Sequence, residues 1–163
     1  MPDHAEVSAI HGRGEFQESI RQAFVEAADA GWREIRLVDL DFAEWPLGEK
    51  SVIEDLTRWA KPYRSLVIVA NHFDEVARRH PRWVVWRQLW SHIVQCRANT
   101  ELESTRMPTL LTARGGVTIR VHERTHHRGT LSRRAIDVQS AWEEIDDILL
   151  RSEESFPATT LGI

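Results

Sequence analysis

The segment Ser65-Leu66-Val67-Ile68-Val69-Ala70 constrains this chain more than any other stretch. It is apolar and rich in β-branched residues, and no polar residue alternates through it. Strands buried on both faces look like this, and they are usually parallel and central. Parallel neighbours need long crossovers, and the preceding sequence supplies them. Ala5 to His11 predicts a strand and Glu15 to Ala30 a helix. Phe16, Ile20, Ala23, Phe24 and Ala27 fall at helical spacing, with Gly31 where a left-handed C-terminal cap belongs. Glu34 to Leu40 predicts the next strand. After the loop Asp39 to Gly48, Ser51 begins a helix that Glu54 would close as a capping box. Pro62 stops that helix. Strand, helix, strand, helix, strand argues for an α/β sheet with right-handed crossovers.

The second half reads differently. His72 to Arg79 predicts a short helix and Pro81 to Val94 a longer one. Pro108 to Ala113 and Val117 to His122 are strands joined by the tight turn Arg114-Gly115-Gly116. Val117, Ile119 and Val121 alternate with Thr118, Arg120 and His122, so one face is polar. A further strand is expected around Gly129 to Arg133. Asp137 to Arg151 is a helix whose inner stripe is Val138, Ala141, Trp142, Ile145, Ile148 and Leu149. Residues 1–152 are expected to form a single domain, and the apolar tail 153–163 to dock on it or on a partner subunit.

Composition narrows the classes. With 163 residues one domain can bury a core without staples. The lone cysteine, Cys96, permits no intrachain disulfide and fits a reducing compartment. The start lacks the basic and apolar regions of a signal peptide, and no apolar run is long enough for a bilayer. A cytoplasmic location is expected. The net charge of -4 argues against a generic polyanion binder.

Several constellations merit weighing. His80 to His92 holds three of the seven tryptophans, interleaved with arginine, and no acid occurs from Val76 to Thr100. On a helix Trp83, Trp86 and Trp90 share one face, widened by Leu89, Ile93 and Val94, which is the order of a core helix. The arginines Arg78 to Arg97 are what a nucleic-acid reading would need. Asp39 and Asp41 follow a strand, where α/β proteins place ligands, and could hold a metal jointly. Turn capping is the commoner use of such residues. His122, Glu123, His126 and His127 are dense in ligand types but lack a His-Glu-x-x-His pattern. Gly12-Arg13-Gly14 lies between strand and helix, yet Gln17 stands where a dinucleotide loop has glycine. A buried, inert thiol is expected at Cys96.

The segments Leu37-Val38-Asp39-Leu40-Asp41, Leu66 to Ala70, His80-Pro81-Arg82-Trp83 and Phe156-Pro157-Ala158-Thr159-Thr160-Leu161-Gly162 together resemble a group of uncharacterised proteobacterial proteins. That group is similar to the phospholipase D-like α/β fold, and a similar domain follows acetyltransferase domains in some bacterial chains. The resemblance implies a single-domain phospholipase D-like mixed sheet flanked by helices. Phospholipase D enzymes use His-x-Lys-x4-Asp on phosphodiesters. Here His122 is followed by Arg124 and Gly129, His126 by Arg128 and Arg133, and His127 by Gly129 and Arg134. No histidine qualifies, so a degenerate site is expected, with binding or scaffolding favoured over catalysis.

The candidate phosphate or anion residues are His80, Arg82, Arg87, His122, His126, His127 and Arg128. No catalytic residue, cofactor or metal is assigned, and Asp39 and Asp41 stand only as weak metal candidates. Phospholipase D folds pair two domains across their site, so a homodimer is expected, with a small anionic ligand and no membrane or nucleic-acid partner. A phosphate-ester enzyme with a His-rich site, or an Arg/Trp nucleic-acid module, are the alternatives. His80, Arg82 and Arg87 are expected to brace the fold or dimer rather than form a pocket.

Overall fold

The computed structural model describes residues 6–157. Its elements are β1 (Val7–His11), α1 (Arg13–Ala30), β2 (Glu34–Val38), α2 (Lys50–Trp59), β3 (Ser65–Ala70), α3 (Asp74–Arg79), α4 (Pro81–Leu89), β4 (Val94–Ala98), β5 (Thr109–Ala113), β6 (Thr118–Glu123), β7 (Arg128–Ser132), α5 (Ala135–Leu150) and β8 (Glu153–Glu154). One eight-stranded mixed sheet runs in the order β1-β7-β6-β5-β2-β3-β4-β8. β3 lies between β2 and β4 and is parallel to both, as its apolar sequence demanded. β5, β6, β7 and β1 continue the sheet as antiparallel strands.

Strand alternation divides the core between the two faces. Ile35, Leu37, Leu66, Ile68, Leu111 and Ile119 join the larger core with the inner stripes of α1, α2 and α4. Val38, Val69 and Leu110 face the other way and pack with Ala141, Ile145 and Ile148 of α5. The polar face foreseen on β6 is therefore covered by α5. Thr118 is buried against Thr112, Arg120 pairs with Glu144 at 2.7 Å, and Arg36 reaches Asp146 at 2.7 Å over the Trp142 ring.

Several expectations need correction. The helix predicted to Val94 ends at Leu89, and Val94–Ala98 is a strand. Trp90 closes the helix, and Val94 and Cys96 then alternate inward beside β3. Trp83 and Trp86 are buried, but Leu89 is 72% exposed rather than part of the Trp face. Ser51 and Glu54 form no capping box: α2 starts at Lys50, and its Glu49 N-cap is held by Arg21 of α1 instead. The two-residue strand β8 was not anticipated; it pairs with β4 and carries the sheet into residues assigned to the tail. Beyond it Phe156 stacks on Phe73 and Trp83. The remainder of the tail, 158–163, lies outside the described residues. Among the described residues, no helix is long and apolar enough to cross a membrane.

Close approach requires glycine at Gly129, where a Cβ would run into the Arg120 carbonyl oxygen of the neighbouring strand, and again at Gly116. A Cβ on Gly116 would lie 2.5 Å from the Trp32 ring, so the β5–β6 turn closes only with glycine there.

Candidate functional site

A cavity of about 190 Å³ opens where β2 ends and the β6–β7 turn crosses it. Its wall includes Asp39, Asp41 and Trp45 from the loop after β2, Phe16 from α1, and Arg124 and His127 from the turn. Such crevices beyond the carboxyl ends of strands are where open α/β sheets take ligands. Two residues with positive φ shape it: Phe42 at 60° within the loop and His127 at 49° in the turn. Non-glycine residues held in that region tend to gather at functional sites. The His127 carbonyl accepts from the Gly12 N–H, tying the turn to the start of α1. That contact is the role of the Gly12-Arg13-Gly14 segment here.

Asp39 is buried at the base of the loop. Its carboxyl accepts from the Thr109 hydroxyl at 2.5 Å and from the Phe42 N–H at 2.9 Å. Desolvation pushes it above the ordinary carboxylate range, although Thr109, Arg124 and backbone N–H groups oppose the shift. Asp41 accepts from the Ala43 N–H at 3.0 Å. Both aspartates thus cap the turn, and among the described residues no three His, Cys, Asp or Glu side chains gather as a cation site. Glu44, at the rim, is engaged by Arg13 at 3.2 Å and Arg79 at 3.9 Å.

The donors on the wall are in a different condition. Trp45 is 2% exposed, and its Nε1–H has no acceptor. Arg124 donates through Nη1 to the Ser104 carbonyl, but its Nη2 is buried without a partner. Orphaned buried donors are rare and ask for an explanation. Trp83 and Trp86 also carry orphaned indole N–H groups, but neither lines this cavity. Trp45 and Arg124 share one. Sequence reasoning missed both as site residues. Arg124 stood in the lysine place after His122, which was the available signal. The register shift between Val121 and Glu123 explains why its neighbour does not follow it: the bulge breaks alternation, and His122 turns outward to Thr130 while Arg124 turns in.

The seven sequence candidates do not converge. His127 reaches the cavity, where its ring packs on Phe16. His126 is exposed and bound to Glu123 at 2.7 Å, and Arg128 is exposed at the start of β7. His80 is buried; its Nε2–H donates to the Phe42 carbonyl at 2.8 Å, and burial holds its imidazole below the usual histidine range. Arg82 donates to the Gly48 carbonyl at 3.1 Å. His80 and Arg82 together clamp the loop that forms the cavity without lining it. Arg87 lies at the opposite end of the sheet, donating to the Val94 and Phe156 carbonyls. The remaining arginines of the Trp segment are also engaged: Arg78 and Arg79 with Glu75, and Arg97 with Ser152. No free basic stripe results. The Cys96 thiol is pushed up to about 11 by burial, which keeps it from acting as a nucleophile near neutral pH.

No family model and no curated protein matches the chain. Solved structures do. TrmBL2, an archaeal chromatin protein with a novel mode of DNA binding, superposes with a TM-score of 0.65 at 12% identity, over 94% of this chain. The chain spans about half, 54%, of that protein's length. Nuc from Salmonella typhimurium, a phospholipase D family member, gives 0.58 at 9% identity, over 91% of this chain and 97% of its own. NucT from Helicobacter pylori gives 0.55 at 6%, over 91% and 98%. The chain therefore has a phospholipase D-like fold. At these identities the likeness speaks for the fold alone.

Proposed function

We propose that this is a phospholipase D-like domain that binds a small oxyanion-bearing ligand and does not carry out phosphodiester chemistry. The observation behind the reading is the pair of buried donors, Arg124 Nη2 and Trp45 Nε1, that lack acceptors and line the same cavity. His127 completes that wall, its ring packed on Phe16. The raised Asp39 favours its neutral form, which reduces repulsion of an anion. No lysine stands two residues after a histidine, so the phosphate clamp of the phospholipase D motif is missing from this sequence.

Calorimetric titration with inorganic phosphate tests this. Binding is expected, weakened roughly tenfold or more by Arg124→Gln, because a charge-assisted hydrogen bond is lost. Equal affinity in the variant, or no binding at millimolar phosphate, overturns the reading. One observation favours an enzyme as second reading: His127 shares the cavity with Asp39 and Asp41. Turnover of a phosphodiester that disappears in His127→Ala would establish it in place of the first. A nucleic-acid module is disfavoured by the engaged arginines, whatever TrmBL2 binds. Salt-sensitive binding of single-stranded DNA would restore it. A homodimer belongs to the same proposal. Val85 and Leu89, one turn apart on α4, are exposed apolar side chains that a second copy would cover. A monomer by light scattering at high micromolar concentration counts against it.

A further inference from the structure

At the other end of the sheet, where β3 and β4 begin, lies a cavity of about 670 Å³. Strand rise of about 3.3 Å per residue sets it roughly 15–20 Å from the first. Two arginines line it, Arg64 at 8% exposure and Arg87 at 6%. No other arginine among the described residues is so buried. Among the described residues neither has an ion-pair partner. Arg64 donates through Nη1 to the Trp32 carbonyl at 3.2 Å, an oxygen already accepting from Trp59 Nε1 at 2.6 Å. Its Nε is buried with no partner. Arg87 donates to the Val94 carbonyl at 3.2 Å and the Phe156 carbonyl at 3.3 Å, with the Cys96 thiol beside it. Glu154 is the carboxylate on the wall, and it pairs with neither.

A guanidinium cannot shed its proton to escape burial. A buried cation therefore needs a counter-charge, or it costs heavily. The carboxyl end of α4 offsets part of the charge on Arg87, which sits in its last turn. Arg64 belongs to no helix, and its charge lies against the Tyr63 and Trp59 rings and beside the Tyr63 hydroxyl. The rest of the wall is rich in donors that suit oxygen: Ser65, Ser91, Gln95 and Ser155, with the exposed His92 at the edge.

We infer that this cavity is a second anion site, in which Arg64 and Arg87 hold a phosphate or carboxylate group of a small molecule. It does not depend on the cleft described above. The test follows the arginine Nε–H resonances of the full chain by NMR during titration with inorganic phosphate and, separately, citrate. The Arg64 and Arg87 signals shift and saturate with at least one of the two anions, and the stronger response tells phosphate from carboxylate. They do so equally in Arg124→Gln, which separates this site from the cleft. Arg64→Lys retains the charge but loses the orphaned donor, and weakens binding roughly tenfold. Unmoved Arg64 and Arg87 signals with both anions, or movement that vanishes in Arg124→Gln, overturn the inference.

Discussion

The two ends of the parallel strands bury charge of opposite sign, and they manage it differently. At the carboxyl end Asp39 is enclosed by two donors, and burial pushes it toward the neutral acid. At the amino end Arg64 and Arg87 are enclosed by carbonyls and ring faces, and among the described residues no carboxylate pairs with either. A carboxylic acid can lose its charge by taking a proton at modest cost, whereas arginine cannot. The first end can thus be stable by itself. The second is the one that gains most from a bound anion.

The largest effect should come from removing Asp39. Asp39→Ala strands the Thr109 hydroxyl and the Phe42 N–H in the interior, and releases a loop residue held at positive φ. A loss of about 3 kcal/mol is expected by urea unfolding. A loss under about 1 kcal/mol would mean the enclosure of Asp39 is not structural. His80→Ala comes next. It takes the donor from the Phe42 carbonyl and slackens the loop, at about 1–3 kcal/mol. Phosphate affinity at the cleft should fall with it, though His80 lines no part of that cavity. A full loss of stability with affinity intact would separate the clamp from the site.

A pH series sharpens the contrast. A carboxyl raised in the folded state contributes stability that is complete below its unfolded value, near 3.8, and is lost as pH rises through the folded value. Asp39→Asn removes that dependence. The variant should therefore gain on the wild type as pH climbs from about 4 toward neutrality. A constant difference across that window would show that Asp39 is not held in its acid form. At the other end, Arg64→Met should change stability by only about 1 kcal/mol in anion-free buffer, because an unpaired buried cation is replaced by an apolar chain. The wild type alone should then be stabilised by the anion that binds there. The smallest effect concerns the exposed face of α4. Leu89→Lys should alter monomer stability by less than about 0.5 kcal/mol, while reducing self-association by light scattering.

Much of the frame was legible in local pattern. β1 to β3, α1, the β5–β6 hairpin and α5 all lie within a few residues of where periodicity and turn residues put them. β4 escaped because Val94 read equally well as the end of the Trp helix and Cys96 was given no element, and only pairing with β3 makes them a strand. Burial of Trp83 and Trp86 followed from the helical face, but the fate of the arginines between them did not. His122, His126 and His127 fall within six residues of sequence and diverge in space, because a bulge and a left-handed residue redirect the turn.

The sequence by itself determined the α/β class, the central parallel strand and the helix faces, since each depends on residues a few positions apart. Tertiary structure alone decided where charge is satisfied and where it is not. Asp39 meets Thr109 across 70 positions, Arg36 meets Asp146 across 110, and Trp45 shares a cavity with Arg124 from another strand connection. A donor's partner is set by distance in space, and no local period encodes that.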